Sequence, residues 1–277
     1  MRTARTPTPA SVRGGARRAA NSSAMTAAAR GGLVAYGVIY LLVGLIALRI
    51  ALGDPESQAD SGGALRALAQ QPFGNFLVWA VGVGLAALAL WRLSEAVLGA
   101  ARPGGHKTEE RLRSTGRFLV LAVLSASALA FAAGSGGGGS SDRRSEDLTA
   151  RVFELPAGRW LVGAVGLATV VLGVWSGVRA LRREYRKELG PVPARMRRPV
   201  DVLGVAGGIA RGIVFAVAGG FVVVAAVRYD ADEVKGLDDS LRTLAGTPAG
   251  PWLLAAVAVG LALYGLLMFA LARWHRG

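Results

Sequence analysis

Hydrophobic and polar positions along this chain segregate into long apolar runs separated by charged or glycine- and proline-rich connections. Six runs, at 32–52, 74–98, 116–134, 158–179, 203–227 and 250–272, are long enough to cross about 30 Å of hydrocarbon, which takes roughly 17–25 residues. The third is the weakest, because its clean stretch from Phe118 to Ala133 is short and rich in Ala and Ser. Arg49 and Arg211 fall inside two of the runs. From Leu33 to Leu48 there are ten Leu, Ile or Val residues. At about −0.3 to −0.6 kcal/mol each, they outweigh an end-located arginine costing at most about 3 kcal/mol.

The pattern repeats. Ala64 to Ala69 leads into Pro72-Phe73-Gly74, Leu148 to Phe153 into Pro156-Ala157-Gly158, and Ser240 to Ala245 into Pro248-Ala249-Gly250. Each time a short amphipathic segment meets Pro-x-Gly and then a span, with an aromatic residue (Phe76, Trp160, Trp252) two positions past the glycine. Leu-x-x-Leu spacing suits a helix lying on a membrane surface, proline ends it and starts the next, and the aromatics fall at headgroup depth. The first halves also match: Gly32, Gly37, Tyr40 and Gly44 correspond to Gly207, Gly212, Phe215 and Gly219. The middle copy is the most degraded. Three hairpins entering with the same orientation predict an all-α integral membrane protein of six spans in a pseudo-threefold arrangement about the membrane normal, unlike inverted transporter repeats. Its parts are a disordered basic segment (1–30), repeat 1 (31–99), a linker (100–114), repeat 2 (115–181), a basic linker (182–202) and repeat 3 (203–274). Gly208-x-x-x-Gly212 and Gly173-x-x-x-Gly177 offer small-residue strips for close helix approach.

Composition agrees with a lipid environment: 52% hydrophobic residues and a mean hydropathy of +0.42. The net charge of +14 would suggest nucleic acid in a soluble domain. Here its placement matters more. The terminal segments and the two linkers between repeats hold twenty-one Lys and Arg residues, against seven in the connections within repeats. That bias predicts cytoplasmic N- and C-termini and accounts for the basic excess, so nucleic acid is not expected as a partner. Arg17-Arg18 stands too far from an apolar run for a twin-arginine signal, and the first span is too long for a signal-peptide core, so an uncleaved first helix is expected. Met25 is an alternative start.

The threefold hairpin with Leu-x-x-Leu, Pro-x-Gly and a glycine-rich span resembles the bacterial membrane family catalogued as domain of unknown function 1206, from about residue 30 to residue 274. The family's Ala-Arg-Gly motif stands as Ala210-Arg211-Gly212 in repeat 3, but as Ala35-Tyr36-Gly37 in repeat 1 and Ser114-Thr115-Gly116 in repeat 2. The resemblance implies a six-span protein of the bacterial cytoplasmic membrane and no particular activity.

Cysteine is absent, which excludes disulfides, thiol chemistry and iron–sulfur clusters. The two histidines, His106 and His275, lie in basic stretches unsuited to a metal ion. No Ser-His-Asp set, His-Glu-x-x-His or intramembrane carboxylate pair is present, and Gly134 to Ser141 reads as a tether rather than a phosphate loop. Catalytic residues, cofactors and metals are therefore not expected. The candidate polar contacts are Arg211, Glu95 and Arg92. Arg211 lies on the order of 13 Å into the fifth span, counted from Val202 at about 1.5 Å per residue. It either reaches the cytoplasmic headgroups by snorkelling, contacts an anion or lipid phosphate, or pairs with Glu95. Arg92 and Glu95, three apart, suit a local pair. Pro72, Gly74, Pro156, Gly158, Pro248 and Gly250 are the repeat motif. The expected function is a non-enzymatic interaction or scaffold role, with anionic lipid headgroups, copies of the chain or an envelope protein as partners. The alternative is a channel or facilitator for a small solute or ion.

Overall fold

The structure, a computed structural model, describes residues 23–53, 58–98, 108–134, 141–155, 157–230, 238–239, 241 and 250–274. The expectations for residues 1–22, for most of the tether, and for Pro156 and Pro248 fall outside them. The helices are α1 (Ser23–Ala51), α2 (Ser61–Ala69), α3 (Gly74–Leu98), α4 (Thr108–Ala132), α5 (Ser141–Phe153), α6 (Gly158–Leu181), α7 (Ala194–Arg228) and α8 (Gly250–Arg273), with a 3₁₀ turn at Glu184–Glu188. Six of them, α1, α3, α4, α6, α7 and α8, are long and apolar enough to span a membrane, making this a multi-pass membrane protein. Helices suit that environment because each satisfies its own backbone N–H and C=O groups where no water can.

The described parts of two stretches expected as linkers are folded. α4 starts at Thr108, well before the apolar run. The 182–202 segment forms the 3₁₀ turn and the first turns of α7, a 35-residue helix that passes through Pro199. At about 1.5 Å per residue that is about 52 Å, longer than the hydrocarbon, so its charged start stands clear of the apolar layer. Packing stabilises this segment. The Tyr185 ring covers Gly204, where an added methyl would collide with it, and the Tyr185 hydroxyl donates to Asp201 Oδ1 at 2.9 Å. Gly190 N–H donates to the Trp274 carbonyl at 2.6 Å, tying the segment to the end of α8.

The start of α1, the end of α8 and the 182–193 segment lie on one face of the bundle, here the terminal face; α2 and α5 lie at the opposite, hairpin face. The Pro-x-Gly motif has a defined geometry in two repeats. Phe73 and Ala157, its middle residues, take φ of 61° and 67°, a left-handed conformation that reverses the chain. The following glycine N–H donates to Gln71 O at 2.8 Å in one case and Leu155 O at 2.9 Å in the other. A methyl on Gly74 would sit 2.7 Å from Ala69 Cα, and one on Gly158 would sit 3.0 Å from Phe153 Cα. Glycine is needed because the surface helix ends hard against the start of the span. Phe76, Trp160 and Trp252 are 72%, 78% and 82% exposed, as rings at a lipid–water boundary should be.

Lipid tails are as apolar as leucine, so the spans associate through close packing of small residues rather than by hydrophobic collapse. The seams follow the repeat. Within the first hairpin, a methyl on Gly32 would collide with Leu88, and one on Gly84 would lie 2.9 Å from Ala35 Cβ. In the third hairpin the corresponding Gly207 sits under Tyr264, and Gly260 under Ala210. Between repeats, Gly37 and Gly44 of α1 meet Gly265 and Ala262 of α8. Their counterparts Gly212 and Gly219 of α7 meet Gly173 and Val170 of α6. These inter-repeat pairs, together with α3 on α4, are the most extensive contacts in the bundle.

The middle hairpin is the exception, for α4 and α6 barely touch. The repeat explains this. Where the other hairpins have Gly32 or Gly207, the middle one has Arg111, and where they have Gly84 or Gly260 it has Ala168. Leu88 is 2% exposed in the closed first hairpin, whereas the equivalent Leu172 is 64% exposed. The spans thus form a ring in the order α4, α3, α1, α8, α7, α6, open between its two ends. At the terminal face the opening is bridged by Arg117 of α4, which bonds to Glu188 just after α6 at 3.2 Å.

Candidate functional site

Polar side chains meet inside the ring beside this opening. α1 carries Tyr36 and Tyr40, and α7 carries Arg211 and Phe215 at the two corresponding repeat positions. Residues four apart on a helix share a face, and both faces turn inward. α8 adds Tyr264 and α6 adds Ser176. The Tyr36 hydroxyl donates to the Tyr40 oxygen at 3.2 Å, and Arg211 Nε donates to the same oxygen at 3.0 Å. Arg211 Nη1 donates to Ser176 Oγ at 3.4 Å. The Tyr40 ring stands edge-on to Tyr36 and to Tyr264, with centroids 4.9 Å apart in both pairs.

Three rings surround the guanidinium: Phe215 with its centroid 4.7 Å from Cζ, Tyr264 at 5.2 Å and Tyr40 at 5.9 Å. Each such contact is worth about 0.5–1 kcal/mol when exposed and about 2 kcal/mol when desolvated. An arginine within a span costs about 2.5–3.5 kcal/mol on insertion scales, so the cage and the two hydroxyls offset most of it. Arg211 is therefore engaged within the bundle, with α1, α6 and α8. Its partners are neutral. The Glu95 side chain, the expected anionic partner, lies outside the described residues.

A second cluster adjoins the first towards the terminal face. Arg92, near the end of α3, is buried, lies 4.3 Å over the Trp91 ring and reaches Glu188 Oε2 at 3.7 Å. Arg117 reaches the other oxygen of the same carboxylate. Further out, Arg179 pairs with Glu184 at 2.8 Å, while Arg186 and Arg183 both engage Asp201. Burial, and secondarily the hydrogen bond to Asp201, push the Tyr185 phenol up to about 12.

The sequence singled out Arg211 and Arg92 but placed neither in its cluster. Tyr264, Ser176, Arg117 and Glu188 carried no signal, since each is an ordinary residue whose partners lie on other elements, far away in sequence. Tyr36 and Tyr40 did carry one, as they occupy the repeat positions of Arg211 and Phe215. Among the described residues no group of His, Asp or Glu is arranged to hold a metal ion. At the hairpin face Asp60 caps α2 by accepting from Gly63 N–H at 2.6 Å, and Asp238 accepts from Ala59 N–H at 2.7 Å, which joins repeats 1 and 3.

Three segments, 31–99, 113–183 and 206–275, match the family described as Domain of Unknown Function (DUF1206). A protein of Bacillus subtilis (strain 168) described as "Uncharacterized protein YxxB" is 32% identical over 244 residues, spanning 85% of this chain and 86% of that protein. No solved structure matches.

Proposed function

We propose a function for this chain, which belongs to the Domain of Unknown Function (DUF1206) family, from its geometry: it is a non-enzymatic interaction protein of the bacterial cytoplasmic membrane. Its ends lie in the cytoplasm, and its basic terminal face meets anionic headgroups. One observation carries the preference for interaction over conduction. Towards the hairpin face from Tyr40 and Tyr264, Val43 and Ala47 of α1, Val78 and Val81 of α3 and Leu254 and Ala258 of α8 are all buried and all apolar. A solute path needs polar groups or a wetted constriction along its whole length, and packed aliphatic side chains along these three helices offer neither.

Flux of ions and small solutes through vesicles containing the purified chain tests this reading. Leak equal to that of protein-free vesicles is the expected outcome, and a selective or saturable leak overturns it in favour of a facilitator. For orientation, a tag fused after Gly277 is expected to resist reagents added outside intact cells, and labelling from outside refutes the assignment. Mass spectrometry of lipids and proteins that co-purify in mild detergent then identifies the partner class.

A further inference from the structure

Arg211 differs from the other arginines near it. Arg92 and Arg117 converge on Glu188, Arg179 has Glu184, and Arg183 and Arg186 have Asp201. Arg211, whose charge is permanent, has two neutral hydroxyls and three ring faces, with no carboxylate among the described residues. Nε and Nη1 each donate once, to Tyr40 and Ser176, and a guanidinium has five N–H donors, so its edge has further donors to offer. Such an edge matches the oxygens of a phosphate group in a way that a point charge does not. The half-buried Arg211 bonds to Ser176 on α6, one of the two helices that flank the unclosed gap between α4 and α6.

We propose that Arg211 is the seat of a phosphate-bearing anion that enters between α4 and α6, its oxygens taken by the remaining guanidinium donors with Ser176 alongside. The phosphate belongs either to a lipid headgroup sliding in laterally or to a free anion arriving from the terminal face. The site stands whether or not the chain conducts solutes.

The test uses the full chain purified in nonionic detergent and two probes. One is inorganic phosphate, followed by calorimetry. The other is fluorescent phosphatidylglycerol in mixed micelles with phosphatidylcholine, followed by energy transfer from the tryptophans. At least one probe is expected to bind saturably. Arg211→Gln should weaken that binding by about tenfold or more, Arg211→Lys by a smaller but measurable factor, and Arg186→Gln, on the surface, not at all. Binding of phosphate assigns a free anion, and binding of the labelled lipid alone assigns a headgroup; both sustain the proposal. It is overturned if neither probe saturates on the wild-type chain, if folded R211Q binds as tightly as wild type, or if R186Q loses as much as R211Q. Should R211Q fail to fold, R211K carries the test, and unchanged affinity in that variant overturns the proposal.

Discussion

Gly173 and Gly177 belong to the same Gly-x-x-x-Gly motif on α6, yet substitution with alanine should move stability in opposite directions. A methyl on Gly173 would lie 2.5 Å from Ala216 N and 2.7 Å from Gly212 O, both backbone atoms of α7. Ordinary contact begins near 3.4 Å, so the two helices must part by roughly 0.7–0.9 Å. A gap of that size forfeits about a quarter to a half of the dispersion energy of every contact along the seam, and overpacking of this kind costs about 1–3 kcal/mol. A methyl on Gly177 meets nothing within 4 Å. Gly177→Ala should therefore show only the helix-propensity gain, about 0.5–1 kcal/mol. Gly173→Ala gains the same propensity, so the two variants should differ by the overpacking cost, roughly 1–3 kcal/mol. Titration with dodecyl sulfate in mixed micelles, followed by far-ultraviolet circular dichroism and tryptophan fluorescence, measures the difference. Equal losses for the two variants, or a neutral Gly173→Ala, would refute the assignment of this seam and with it the inter-repeat packing by which the ring is built.

Three further outcomes follow from particular contacts. Glu188→Gln leaves Arg92 and Arg117 without their shared carboxylate and should lower stability by about 1–3 kcal/mol in the same titration, with Glu188→Asp intermediate; no change would mean the bridge across the opening contributes nothing. The Tyr185 phenol, ordinarily near 10, is raised to about 12 in the folded chain. The stability it adds is thus fully present below about pH 10 and is lost as pH rises through about 12. Tyr185→Phe should remove this alkaline loss together with one late-titrating phenolate absorbance, and a wild-type curve superimposing on that of the variant would contradict it. Finally, Ala157 holds a left-handed φ of 67° that disfavours any side chain. Ala157→Gly should stabilise by about 1 kcal/mol and Ala157→Val should destabilise, as read by thermal unfolding in detergent; a destabilised Ala157→Gly would show that the turn is not strained there.

Much of the architecture was legible along the chain because each span states its own solvent. A helix that must satisfy its backbone in hydrocarbon advertises itself by length and by the absence of charge, so even the first span, ending in Arg49, could be assigned. The repeat was legible for a similar reason: Pro-x-Gly answers a local demand, a reversal with a surface helix pressed against the start of the next span, and Gly74 and Gly158 meet it in the same way. The helical start of α4 and the folded segment before α7 were not legible, because their charge resembles that of a solvated linker. What orders the latter is a ring lying on Gly204 and a carboxylate on the next helix.

The sequence by itself determined that the chain is a set of membrane-spanning helices in three related hairpins, and that Arg211 stands in one of them, because burial in lipid and local backbone geometry act on neighbouring residues. Only the tertiary structure decided which seams close. Gly32 and Gly207 admit their neighbours, while Arg111 at the same repeat position accompanies a hairpin that stays open. It also decided what Arg211 meets: Tyr40, Ser176, Phe215 and Tyr264 come from four different helices. Their convergence depends on how helices settle against one another through small residues, a property of pairs of surfaces that no single stretch of residues contains.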